Sequence, residues 1–166
     1  MGHRLVCSLK GDINPITARR VGRRKSLEGS GFSQYVLVED AALNYNLYEM
    51  DTNIPLETAV LMEPASVGRH GAFRVNPKPT DKVVVLGAGT IGLSAAASLI
   101  AEGIMNVCVV DIDDWRLEKA AELGAFTVNS LQVDLTEGLT KLFGEVNVYG
   151  HTVPDVDIFI DAAGAP

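Results

Sequence analysis

A chain of 166 residues with 14 Lys and Arg against 21 Asp and Glu carries a net charge of −7. An acidic body of this kind argues against nucleic acid as its main partner. A 47% hydrophobic and 6% aromatic composition suits one aliphatic-cored α/β domain, or one domain plus a piece of another.

Two cysteines, Cys7 and Cys108, make neither a disulfide framework nor a four-thiolate zinc site. Cys108 lies in an apolar strand pattern and is expected to be inert core. No apolar run reaches membrane-spanning length, and the N-terminus has no signal-peptide core. A cytoplasmic protein without membrane contact is the expectation.

Residues 1–30 form a basic N-terminal segment with no sustained helical or strand period. His3 and Cys7 stand four apart, but two ligands with no third nearby are poor evidence for a metal. The texture changes at Gly31. Residues 31–38 read as a strand, and Leu43 to Met50 as a second extended stretch. Asp51 to Pro55 is a turn, with Pro55 at the first helical position. Leu56, Ala59, Val60, Met62 and Ala65 fit one or two short helices running to Phe73. Pro77-Lys-Pro is a stiff connector.

The stretch Asp81 to Asp111, DKVVVLGAGTIGLSAAASLIAEGIMNVCVVD, reads as strand, glycine turn, small-residue helix, and a second strand closing on an acid. This is the order of a dinucleotide-binding unit. Gly87 permits the tight turn, and Gly89 lets a pyrophosphate approach the backbone. Gly92, with Ala96 one turn later, lets the helix lie close to the sheet. The helix start offers free N–H groups and a positive dipole end to an anion. Asp111, 24 positions after Gly87, stands where an acid accepts hydrogen bonds from ribose hydroxyls and repels a 2′-phosphate, which favours NAD over NADP. The alternative is that Asp111 only closes a strand.

Beyond Asp111, Asp113 and Asp114 supply acidic charge to a helix start. Leu117, Ala120, Ala121 and Leu123 form its apolar face, and Gly124 its stop. Phe126 to Val128 is a third strand. Leu135, Leu139, Leu142 and Phe143 mark another amphipathic helix, and Val156 to Asp161 a fourth strand. Alternation with short links predicts an α/β fold: a partial Rossmann, doubly wound parallel sheet ordered 3-2-1-4.

The segments NIPLETAVLMEPASVGRHG, VVVLGAGTIGL, VVDIDDWRLEKAAELGA and DIFIDAAGAP occur in the order seen in the zinc-type medium-chain dehydrogenases. The chain resembles that family over residues 31–166, and most of all its polyol branch of sorbitol, butanediol and threonine dehydrogenases. The resemblance implies a chain truncated at both ends. Residues 31–77 would be the remnant of a GroES-like catalytic domain with its connecting helices. Residues 78–166 would be an incomplete NAD-binding Rossmann domain with four of six strands.

For single positions the resemblance implies that Glu63 ligates, or sits beside, a catalytic zinc, and that Val67 packs on the nicotinamide face. Gly87, Gly89, Thr90, Ile91 and Gly92 would form the phosphate turn. Asp111 would bind ribose, Arg116 would lie near the adenosine, and Ala162, Ala163 and Gly164 would border the middle of the cofactor. Glu63 before Pro64 also fits a plain helix start, and Arg116 a surface ion pair.

Departures accompany these matches. The family's Gly-His-Glu motif is here Gly2-His3-Arg4, Cys7 follows the histidine instead of preceding it, and the four-cysteine lobe is absent. Zinc ligation is therefore not carried onto His3 or Cys7, and no catalytic residue is assigned. His70 is read as helix packing or surface, and His151 as an exposed loop residue. The implied activity is hydride transfer between nicotinamide and a secondary alcohol or ketone, in a homo-oligomer acting on a small alcohol, polyol or ketone. This chain would keep mainly NAD binding, with zinc belonging to the full-length family and not held by this chain alone. A non-catalytic NAD-binding or regulatory module is the alternative. The third glycine and the EPASVG helix speak against a Rossmann methyltransferase.

Overall fold

The computed structural model describes the backbone of residues 5–6, together with residues 42–45 and 48–164. The expected strand at 31–38, and most of segment 1–30 with Cys7, lie outside the described residues. The chain divides into two compact units, 1–60 and 61–166.

In the first unit, β1 (Leu5–Val6) pairs antiparallel with β2 (Tyr48–Glu49), Leu5 opposite Glu49. Two residues are too short to show a period, so β1 could not be read from the sequence. The short helix α1 (Leu56–Ala59) follows Pro55, whose ψ of 148° is extended. Pro55 therefore caps the helix from outside instead of occupying its first turn.

The second unit is a layered α/β fold. It opens with α2 (Met62–Phe73), then β3 (Val83–Leu86), α3 (Thr90–Ala101), β4 (Val107–Asp111) and α4 (Asp114–Glu122). β5 (Phe126–Asn129), α5 (Leu135–Phe143), β6 (Glu145–Val148), β7 (His151–Pro154) and β8 (Ile158–Asp161) follow. Four strands form one parallel sheet in the order β5-β4-β3-β8, the expected 3-2-1-4. The register sets Leu86 beside Val110 and Asp161, and Asp111 beside Asn129. The carboxyl ends of all four strands thus open on one side.

Strands covered on both faces read as continuous apolar runs, which is why Val83–Leu86 lacks alternation. Val83, Val85, Val107 and Val109 pack with Ala95, Ala96 and Leu99 of α3, Leu117 and Ala120 of α4, and Ala72 of α2. Val84, Cys108, Val110 and Val128 pack on the other face with Leu139 and Phe143 of α5. Caps fix the helix starts: Asp113 accepts from Arg116 N at 3.1 Å and Asp134 from Glu137 N at 3.1 Å, contacts typically worth about 1 kcal/mol each. Gly124, at φ +93°, ends its helix as expected.

The β6–β7 hairpin was not legible. Its two-residue turn places Tyr149 at φ 51° and Gly150 at φ 86°, the twist that suits a tight hairpin, but tyrosine is an unusual residue for that conformation. His151, expected in a loop, is instead the first residue of β7, and it is exposed. At the amino ends of the strands, Lys82 Nζ donates to the Phe143 carbonyl at 2.9 Å and to Asp155, while Lys82 N donates to Asp157 at 2.8 Å. This staple ties β3 to the end of α5 and the start of β8.

Burial pushes the Cys108 thiol up to about 12, so it stays protonated and unreactive at neutral pH. With Cys7 replaced by Ser, a thiol–disulfide reagent at pH 8 should find no thiol in the native chain and one in guanidinium. Prompt native-state reaction would contradict the buried position.

Candidate functional site

A cleft of about 500 Å³ lies at the carboxyl ends of β3, β4 and β8. Its walls include Gly87, Gly89, Asp111, Arg116 and the loop Ala162, Ala163 and Gly164. It sits between β3, which leads into α3 on one face of the sheet, and β8, which is reached by way of α5 on the other face, the switch point at which open α/β sheets place ligands.

The glycines act by different physical means. Gly87 takes φ +95°, and a Cβ there would stand 2.9 Å from the Ala162 carbonyl oxygen. A Cβ at Gly92 would sit 1.9 Å from the Gly87 carbonyl oxygen, so any side chain would drive α3 off the turn. Gly89, by contrast, has nothing within 4 Å of its Cβ direction. It caps α3 with no side-chain hydrogen bond. The N–H groups of Thr90, Ile91 and Gly92 have no intrahelical acceptor, as in any first helical turn. Open space in front of a bare helix start is a geometry that suits an anion.

Asp111 is tightly held. Its Oδ2 accepts from Ala88 N at 2.6 Å, and its Oδ1 from Ile112 N at 2.7 Å and Asp113 N at 3.0 Å. Partial burial opposes ionisation, but the Ala88, Asp113 and Ile112 N–H donors and the Arg116 charge outweigh it and keep the carboxyl below its usual value.

Val67 and Glu63 stand outside the cleft lining. α2 crosses α3 at Gly68, where a Cβ would stand 2.7 Å from the Ile91 carbonyl oxygen and 2.8 Å from Ala95 N. Val67, the residue before that crossing, is 43% exposed, and Glu63 is exposed on the first turn of α2. Among the described residues, no three His, Cys, Asp or Glu come together as a metal site, so these residues do not by themselves fit a zinc ion.

Ile112, Ser130 and Leu135 also line the cleft, and sequence reasoning missed them. A polar net outside the cleft reaches the backbone of one of them: Asn129 Nδ2 donates to Asp114 Oδ1 at 2.6 Å and to the Ile112 carbonyl at 3.3 Å, and Gln132 Nε2 donates to Asp114 Oδ2 at 3.0 Å. The signal was Asn129 at the carboxyl end of β5, level with Asp111.

Gly92→Ala should unfold the unit or strongly lower its urea midpoint, whereas Gly89→Ala should leave the midpoint nearly unchanged; equal effects would refute the distinction. The lowered Asp111 pKa also has a sign. Its stabilisation is complete above the unfolded value near 3.8 and is lost as pH falls through the folded value. Acid titration should therefore show a shallower loss of stability below pH ~4 in Asp111→Asn than in the unaltered chain.

A family model for the TrkA-N domain matches residues 83–140. D-xylulose reductase A of Aspergillus oryzae is 37% identical over 139 residues, covering 83% of this chain and 36% of that protein. The solved 2R,3R-butanediol dehydrogenase of Bacillus subtilis superposes with a TM-score of 0.60 at 27% identity, over 73% of this chain and 33% of that one. A structure titled short chain alcohol dehydrogenase from Escherichia coli CFT073, complexed with cofactor NADH, gives a TM-score of 0.60 at 30% identity, over 72% of this chain and 33% of that one. The chain spans about a third of the length of the curated relatives it matches. Over the stretch it shares with them, this chain belongs with the zinc-type polyol and butanediol dehydrogenases.

Proposed function

We propose that the cleft binds NAD and that the chain is the cofactor-binding part of an alcohol or polyol dehydrogenase. The observation that carries this reading is that the glycine turn, the uncapped start of α3 and Asp111 converge on one cleft. The names of the relatives, a D-xylulose reductase and a butanediol dehydrogenase, and the NADH-bound neighbour support it.

In this reading the Gly87–Gly92 turn and the first N–H groups of α3 hold the pyrophosphate. Asp111 accepts from adenosine ribose and rejects a 2′-phosphate by charge. Ile112, Ser130 and Leu135 flank the adenosine, with Arg116 at the rim. Ala162, Ala163 and Gly164 border the middle of the cofactor, and Val67 faces the nicotinamide side. When bound, the nicotinamide supplies a hydride acceptor or donor. Hydride exchange with a secondary alcohol or ketone belongs to the whole protein.

Glu63 enters only as one candidate zinc ligand, the zinc belonging to the full-length family and not held by this chain alone. No helix among the described residues is long and apolar enough to cross a membrane, and a cytoplasmic location is part of the reading. Self-association is another part, supported by the outer edge of β8, unpaired among the described residues, with Phe159 57% exposed.

Calorimetry should show NAD binding and much weaker NADP binding. Asp111→Ser should weaken NAD by at least about tenfold, the scale of a hydrogen bond to a charged group, and narrow the gap to NADP. Energy transfer from the single tryptophan, Trp115 on the first turn of α4, to bound NADH gives an independent signal. A chain that binds neither dinucleotide would refute the assignment.

A further inference from the structure

The Asp111 carboxylate does more in this fold than wait for a sugar. Ala88, the middle residue of the Gly87–Gly89 turn, is 1% exposed. Its N–H is shielded from water and needs an acceptor inside the protein. No backbone carbonyl takes it: Gly87 N goes to the Val110 carbonyl at 2.7 Å, and the next carbonyl, that of Asp111, accepts from Ser130 N at 3.1 Å. The Asp111 side chain fills the gap, with Oδ2 at 2.6 Å from Ala88 N. The carboxylate is itself oriented by Ile112 N and Asp113 N on Oδ1.

We propose that Asp111 is a positioning residue for the phosphate turn: acting through Ala88, it clasps the turn to the end of β4 and so sets the Gly89 backbone and the start of α3 in their anion-binding arrangement. The inference rests on the dinucleotide reading of the cleft and deepens it. A carboxylate offers about four acceptor directions, and three are engaged by backbone N–H groups. One direction, on Oδ2, remains, so Asp111 binds a single ribose hydroxyl unless a backbone contact is released. Loss of Asp111 therefore weakens the phosphate end of the ligand as well as the sugar.

The Asp111→Asn variant, tested with a nucleotide that lacks the ribose hydroxyls, separates the two roles: its amide oxygen keeps the contacts to Ile112 and Asp113 while its NH2 group replaces the acceptor for the Ala88 N–H. Amide exchange is followed by NMR on the full chain, and calorimetry compares ADP with its 2′,3′-dideoxy analogue. In the variant, exchange at Ala88 should speed by roughly tenfold or more while Val85 in β3 stays protected, and both nucleotides should bind roughly tenfold more weakly. If Asp111 serves ribose alone, Ala88 exchange and the affinity of the dideoxy nucleotide are unchanged, and the clasp is refuted. If the variant does not fold, the unaltered chain decides: the Ala88 amide resonance should titrate with the Asp111 carboxyl below pH 3.8, and a flat response overturns the proposal. If neither nucleotide binds the unaltered chain, the dinucleotide reading fails, and Ala88 exchange still decides the clasp.

Discussion

The close approach of Gly92 to the Gly87 carbonyl is the contact on which the rest of the unit depends. A single Cβ at that point would sit 1.9 Å from oxygen, so α3 can begin where β3 ends only because both residues are glycine. That seating brings Ala95, Ala96 and Leu99 down onto Val83, Val85, Val107 and Val109. It also sets the height at which α2 crosses α3, with Gly68 against Ile91 and Ala95. A chain of small residues on both helices transmits one steric condition from the turn to the outer layer. The open start of α3 and the core packing are thus two results of the same spacing.

The parts of the fold that follow from burial were legible. Apolar runs at 83–86 and 107–110 read as buried strands, and short links between alternating strands and helices point to a parallel sheet. The turn was legible for a different reason: glycine spacing encodes a steric demand. The hairpin at 145–154 was not, because its strands are largely exposed and its positive-φ turn uses tyrosine, so neither periodicity nor turn chemistry announced it.

The site was legible in its backbone and less so in its walls. Gly87, Gly89, Asp111, Arg116 and the Ala162–Gly164 loop do share one cleft. Ile112, Ser130 and Leu135 join them from the residues just after β4 and β5 and from the start of α5. Such a wall depends on which loops meet across strands β4 and β5, which spacing along one segment does not reveal. Glu63 was singled out from a motif in another part of the family's architecture, and its exposed position on α2 gives it no neighbouring ligand among the described residues.

The hairpin's position has a practical meaning. It leaves α5 and returns to β8 at the amino ends of the strands, where the Lys82 staple closes the sheet, and the cleft lies at the other end. Tyr149, at its tip, is 99% exposed. Loop tips of this kind accept insertions with little thermodynamic penalty. The Tyr149–Gly150 junction is therefore a point where a reporter domain, an affinity handle or a circular permutation break could be built in without touching the candidate cleft.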